Sequence, residues 1–317
     1  MKDKYVLILD SSQIERWFFC PQSWAYLNEE LLLPKGQLEE LNVPMNAGTF
    51  GHRLLDIYYK AQARGLGMNQ AFGEAMAFDF DNEYCKCGRL LERHSDPTCP
   101  CKEPTSRPFP LEPSERQKVV NRLIEYCAKW AGNDVVPDSP ESVEVGFSEP
   151  IFEDDSNLFV LEGRIDVKGS IQGLSCILDH KFQYKKNGIY KKSIQFKNYC
   201  LVDKTPLMVV NYIRLTKECS PDTLMRDLCS FSIPELLLWK ERLVRIFFEI
   251  KGARLSGIYP RNWGSCGGRR DNYGQQESGH YKHECPFTML CDEWNKDLIQ
   301  IKKDTYFDKR ESCWRPW

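Results

Sequence analysis

Apolar residues recur along this chain with two different periods, and the switches between them sketch its architecture. Ser12 followed by Glu15 has the spacing of a capping box and predicts a helix carrying Trp17, Phe18 and Trp24, with Pro21 set to kink it or begin its next segment. Phe50, Leu54, Ile57 and Tyr58 recur at helical spacing and predict a second helix over 47–63; Ser114 caps a third to about Trp130, striped by Val119, Leu123 and Tyr126. The period then shortens to that of strands over 142–147, 158–168 and 174–181, the last two joined by a short turn between Gly169 and Gly173. A helix over 190–202, a strand over 207–215 and a long amphipathic helix from Pro234 to about Leu255 follow. Two stretches break the pattern: 79–113, rich in Cys, Pro, Arg and Glu, and 257–317, loop-rich with a short helix after Cys285. No internal repeat is present. The order of elements predicts an α/β sandwich with a mixed central sheet flanked by helices.

Composition narrows the class. A chain of 317 residues with 42% hydrophobic and 28% charged content suits one large domain, or one with insertions. No run approaches a transmembrane helix, and the short apolar stretch Tyr5 to Leu9 lacks a small-residue cleavage site, so a cytoplasmic protein without membrane contact is expected. A net charge of −2 does not announce a nucleic-acid partner. Such contact would come from local patches, one of Lys185, Lys186, Lys191, Lys192 and Lys197, another of Arg261, Arg269 and Arg270; an ordinary solvated face is the equal alternative for each. Fourteen cysteines are many for a reducing compartment, where short spacings point to metal ligands.

The chemistry concentrates at Asp166 and at Asp179-His180-Lys181. Strand alternation points Asp179 and Lys181 one way and His180 the other. Two carboxylates beside a lysine at the ends of paired strands suit a hard divalent cation and a phosphodiester. A surface salt-bridge cluster is the other reading; the apolar runs leading into each acid argue for burial instead.

Gly163-Arg164-Ile165-Asp166, then Asp179-x-Lys181, then Gln195-x-x-x-Tyr199 resembles the PD-(D/E)XK nuclease superfamily, and within it the RecB-like and CRISPR-associated adaptation exonucleases that carry an iron–sulfur cluster. Gly48-Thr49-Phe50-Gly51-His52 looks like the family's Gly-x-x-His helix, and Ser12 to Pro21 like its N-terminal helix. The resemblance implies a restriction-endonuclease-like core in a single domain over 1–317, and a metal-dependent DNA nuclease. An exonuclease on single strands or duplex ends is implied, serving recombination, repair, CRISPR adaptation or phage DNA processing. It implies Asp166 and Asp179 as ligands of Mg²⁺ or Mn²⁺ with the His180 carbonyl, Lys181 as the group orienting the attacking water, and His52 as a further ligand favouring Mn²⁺. Glu144 stands as an extra acid or as no part of the site. Gln195 and Tyr199 share a helix face and would touch DNA or support the site, with core packing the alternative for Tyr199. Phe182 replaces a frequent Thr, which bears on the substrate groove. No phosphate loop ending in Gly-Lys-Ser/Thr is present, so unwinding would fall to a helicase, with an integrase or recombination protein as other partners. The rival readings are a catalytically silent protein of the same fold binding DNA or a partner, against which the intact acids and lysine stand, and a restriction-type endonuclease, which would need a dimer and a base-reading element.

The same resemblance implies a 4Fe-4S cluster on Cys20, Cys266, Cys285 and Cys291, closing the 257–317 segment onto the N-terminal helix. Here a long segment, 267–284, separates Cys266 from Cys285 where the family has a short spacing. Zn²⁺ in the same ligands, or buried unligated thiols, are the alternatives. Within 79–113, Cys85-Lys-Cys87 and Cys99-Pro-Cys101 are spaced to close on Zn²⁺, with His94 able to replace one thiolate and free or redox-active thiols the alternative.

Overall fold

A computed structural model describes residues 4–35, 43–78, 109, 111–130, 132–183, 192–216, 223–262, 285–293 and 295–309, with backbone alone at 43 and 44. A strand, β1 (Tyr5–Leu9), leads into two short helices, α1 (Ser11–Phe19) and α2 (Pro21–Asn28), and a strand β2 (Leu32–Pro34). Helices α3 (Val43–Ala63), α4 (Met68–Met76) and α5 (Pro113–Trp130) follow. The sheet comes next: β3 (Val136–Pro137), β4 (Val143–Glu153), β5 (Asn157–Ile171) and β6 (Leu174–Gln183). Beyond it lie α6 (Ile194–Asp203), β7 (Leu207–Arg214), β8 (Leu224–Ser230), α7 (Ile233–Ser256), α8 (Thr288–Cys291), α9 (Lys296–Tyr306) and β9 (Phe307–Lys309).

The main sheet runs β1-β5-β6-β7-β8, with β3 and β4 added to β5. It is mixed: β1 lies parallel to β5 and β6 parallel to β7, and the remaining pairs are antiparallel. Along β6 the side chains divide as a strand requires: Cys176, Leu178 and Phe182 pack with α3, α4 and α5, while Ile177 packs beneath α6. On the far part of the sheet, Phe159 and Leu161 meet Trp17 of α1 and Leu243, Phe247 and Ile250 of α7. The layers are therefore helix, mixed sheet, helix.

Several local expectations shift. The short apolar stretch Tyr5 to Leu9, given no element by the pattern, is a sheet strand because β5 pairs with it. The cap of α1 is Asp10, not Ser12: β1 delivers Asp10 in extended conformation, its carboxylate accepts the Gln13 N–H at 2.8 Å, and Gln13 Oε1 accepts the Asp10 N–H. Pro21 starts its own helix after an extended Cys20. Ser114 lies inside the first turn of α5, which opens at Pro113. β8 and α4 lie outside the expected elements, although Met68, Ala71, Phe72, Ala75 and Met76 of α4 recur at helical spacing and pack into one core. β2 pairs antiparallel with β9, and Tyr26, Leu32, Phe287, Leu290 and Phe307 form a small core with Cys285 and Cys291. No described helix is long and apolar enough to cross a membrane.

Candidate active site

The site lies where β6 leaves β5. The two strands pair only from Ile171↔Leu174 to Val167↔Leu178, after which β6 stays on β7 through Gln183↔Arg214. β1 occupies the same edge of β5, but only as far as Leu161. Between β1 and β6, residues 162–166 of β5 have no ladder partner on that edge among the described residues. Asp166 fills part of the opening: its Oδ2 accepts the backbone N–H of His180 at 2.8 Å.

On the other edge of β5, the β4 register places Val143 opposite Val167 and Val145 opposite Ile165, so Glu144 falls directly across from Asp166. Glu144 has φ 56°, the left-handed region that a non-glycine residue adopts at a cost. Val143 and Val167 pack with the α3 and α5 side, whereas Val145 and Ile165 belong under α6, so the ladder changes allegiance at this pair. The His52 imidazole of α3 completes the group. Its Nδ1 is 3.4 Å from Asp166 Oδ2, and one donor atom each from His52, Glu144 and Asp166 lie within 4.8 Å of one another. Arg164, two residues before Asp166, reaches Glu144 Oε2 at 3.2 Å.

His52 is set in place by an intimate helix–strand contact. A Cβ on Gly51 would lie 2.4 Å from the Phe182 ring, so α3 can approach β6 only with glycine there. The His52 and Phe182 rings meet edge-on at 5.3 Å. Phe182 thus projects to the α3 side of the sheet, against the metal-type ligands.

Asp179 and Lys181 project to the α6 side. Lys181 Nζ is 3.1 and 2.8 Å from the two Asp179 oxygens and donates to Gln195 Oε1 at 3.0 Å; Gln195 Nε2 donates to Tyr199 OH at 2.7 Å. Tyr199 is buried against Phe147. The structure thus brings Asp179, Lys181, Gln195 and Tyr199 into one chain of contacts, with Asp179 bound to the lysine rather than among the three gathered ligands. His180 points into the opposite layer, stacked on Tyr59 at 5.4 Å and edge-on to Tyr126 at 5.8 Å, with no hydrogen-bond partner for either ring nitrogen among the described residues.

Burial and crowded charge set the protonation states. Burial, then the Asp166 charge, pushes Glu144 up to about 7. Burial raises Asp179 to about 6, with Asp166 adding to it and the Lys181 ammonium opposing. Asp166 itself is held well below the usual carboxylate range: its burial is outweighed by His52, His180 and Lys181. Burial disfavours the His52 imidazolium, but Asp166, Glu144 and Asp179 together lift it to about 8. For Lys181 burial is likewise outweighed, by Asp179 and Asp166, and its pKa is raised. Burial drives His180 down to about 3, so its ring is neutral.

This donor set fits a divalent cation. Two opposed, largely buried carboxylates and an imidazole bring two oxygen donors and one nitrogen donor within 4.8 Å of one another, a set that suits Mg²⁺ or Mn²⁺. Of the cysteines, Cys20, Cys285 and Cys291 are buried, and Cys20 and Cys291 both act on the Tyr26 hydroxyl. Cys266, and the set Cys85, Cys87, Cys99 and Cys101, lie outside the described residues. So do His94, Lys185, Lys186, Lys191, Arg269 and Arg270. Sequence reasoning gave Arg164 no role and overlooked Tyr59; period-two alternation, which puts Arg164 on the same side of β5 as Asp166, was the available signal for the first.

No protein-family model matches this chain, and no curated protein matches it. Among solved structures, the chain is similar to SSO0001, at 14% identity over 43% of this chain and 61% of that one, with TM-score 0.27. The match therefore spans less than two thirds of SSO0001. It is also similar to a Eubacterium rectale protein provisionally named an exonuclease, at 9% identity over 80% of this chain and 84% of that one, with TM-score 0.38.

Proposed function

We propose that this protein is a metal-dependent DNA nuclease of the PD-(D/E)XK type, acting as an exonuclease on single-stranded DNA or duplex ends. The observation that carries the reading is the Glu144–Asp166 pair with His52, set beside the Asp179–Lys181 ion pair at the opening between β5 and β6. His52, Glu144 and Asp166 would hold Mg²⁺ or Mn²⁺, with Asp179 and the His180 carbonyl as further oxygen donors. When bound, such an ion supplies Lewis-acid charge at a phosphoryl oxygen and makes water a better nucleophile at neutral pH. The chain's own part is orientation. Lys181 keeps a protonated ammonium where negative charge grows during hydrolysis, and Asp179 and Gln195 fix its Nζ in place. Tyr199 holds Gln195 in turn. Asp166 ties the metal side of the site to β6 through the His180 N–H.

Cys20, Cys285 and Cys291, with Cys266, would hold a 4Fe-4S cluster that staples the terminal segments, and Cys85, Cys87, Cys99 and Cys101 would hold structural Zn²⁺ in the insertion. A cytoplasmic role in recombination, repair, CRISPR adaptation or phage DNA processing follows, with a helicase, integrase or recombination protein as partner. The test is cleavage of end-labelled single- and double-stranded DNA in Mg²⁺ or Mn²⁺ by anaerobically purified protein. Loss of cleavage on chelation and in Lys181→Ala is expected; cleavage that survives both would overturn the reading.

A further inference from the structure

Lysines and arginines lie over aromatic rings at many points of this fold, and nearly all of them are held by an oxygen as well. Arg226, Arg254 and Lys303 are bonded to Asp134, Glu29 and Glu30. The other described cation–ring pairs likewise hold a carboxylate, carbonyl, hydroxyl or amide oxygen, with two exceptions. Lys197 Nζ lies 5.5 Å from the centre of the Trp239 ring and Arg242 Cζ 4.6 Å from that of Phe18, and neither has an ion pair or hydrogen bond among the described residues.

These two cations share one floor. The Phe18 and Trp239 rings are neighbours, 6.4 Å between centres and tilted by 30°. Trp239 is buried and fixed: its Nε1 donates to Asn198 Oδ1 at 2.8 Å, and Asn198 Nδ2 donates to Ser11 Oγ at 2.9 Å, which ties α7 to α6 and α6 to α1. The floor adjoins the active site. Lys197 follows Phe196 on α6, and Lys181 Nζ lies 5.4 Å from the centre of the Phe196 ring. Glu15, one helical turn before Phe18 on α1, acts on the Lys181 ammonium. Aromatic rings stabilise a cation above them without neutralising it, leaving its N–H donors for an incoming acceptor.

We propose that Lys197 and Arg242 form a phosphate-holding strip that guides a polynucleotide backbone to or from the Lys181 site. The strip rests on the nuclease reading for its purpose but not for its measurement. In a chain of net charge −2, two cations without an ion pair among the described residues, set on a rigid floor, supply local attraction that bulk charge does not. Because Trp239 is buried, the strip reads phosphate charge rather than stacked bases.

The test is fluorescence anisotropy in EDTA, where nothing is cut, with a labelled oligothymidylate and a labelled duplex across a salt titration. The Lys197→Gln/Arg242→Gln double variant should bind more weakly and lower the salt slope by about 1.4 on the single strand or about 1.8 on the duplex, the loss of two phosphate contacts. The substrate form that shows its full loss is the one the strip guides. Arg242→Lys should keep the slope, separating charge from packing on Phe18, and melting temperatures report folding. Lys296→Gln on α9 should leave the slope unchanged. An unchanged slope in the double variant, an equal loss in Lys296→Gln, or no binding by the wild type would each overturn the proposal. Binding that follows the strip in a protein that never cuts DNA with Mn²⁺ would instead overturn the nuclease reading alone.

Discussion

Glu144 stands directly across the β4–β5 ladder from Asp166, and the two carboxylates share one imidazole, that of His52. Like charges opposed across antiparallel strands destabilise a sheet by roughly 0.2–1 kcal/mol. The pair is tolerable if a cation joins it. Glu144→Gln relieves that repulsion but also weakens the Arg164 ion pair, so it should leave the stability of the chelated protein within about 1 kcal/mol of wild type while lowering Mn²⁺ affinity by at least the ~10–100-fold that loss of an outer partner costs. Calorimetric titration with Mn²⁺ and denaturant melts in EDTA check both halves; unchanged affinity would remove Glu144 from the site.

The pH dependence of stability has a definite sign. Glu144 sits at about 7 against an ordinary 4.5, and Asp179 at about 6 against 3.8. Through these two groups the folded, metal-free protein binds more protons than the unfolded chain in that window, and the neutral His180 ring offsets one of them below about pH 6.5. The stabilising contribution of these groups is complete below pH 4 and is lost as pH rises toward 7. His52, at about 8 against 6.5, extends the loss toward pH 8. A divalent cation should reverse the trend, since its ligands must shed protons to bind it. Melting temperatures in EDTA should fall from pH 5 to 8 and the shift produced by Mn²⁺ should grow; a Mn²⁺ shift independent of pH would refute the site.

Lys181 partners a carboxylate that is 1% exposed. Removing the lysine alone strands that charge, at a cost of about 3–5 kcal/mol for a buried pair. Lys181→Ala is therefore expected to melt early, and Lys181→Ala/Asp179→Asn to recover most of the stability without recovering cleavage. A double variant as unstable as the single one would show that the pair is not coupled.

Gly51 has no room for a side chain. Gly51→Ala drives a methyl into the Phe182 ring and should cost about 1–3 kcal/mol, with Phe182→Leu recovering part of it. Because His52 follows Gly51 in α3, Mn²⁺ affinity should fall together with stability, which isothermal titration of the same variants reports.

The His180 ring is buried with both nitrogens unpartnered among the described residues, an arrangement that costs about 1–3 kcal/mol per unsatisfied group. His180→Phe keeps the stack on Tyr59 and removes both nitrogens, so it should match or exceed the wild type in urea stability. His180→Ala should lose about 3 kcal/mol to the cavity. Destabilisation by both would imply a partner for the ring.

Much of the site is legible in short segments. Alternation along β6 puts Asp179 and Lys181 on one side and His180 on the other, and the structure keeps that division. Helical spacing puts Gln195 and Tyr199 on one face, and they are bonded there. These relationships span a few residues and follow from backbone geometry alone. The sandwich order of helices and strands is legible for the same reason.

What tertiary structure alone decided is which of these segments meet. Glu144 joins Asp166 only through the register of β4 on β5, set by pairing along the whole hairpin. His52 arrives from α3 because Gly51 admits the Phe182 ring, a contact between residues over a hundred positions apart. β1 became a strand because β5 offered it an edge, and the gap it leaves before β6 is where Asp166 found the His180 amide. Periodicity reports the face a residue presents; only long-range register and close packing determine what that face will meet.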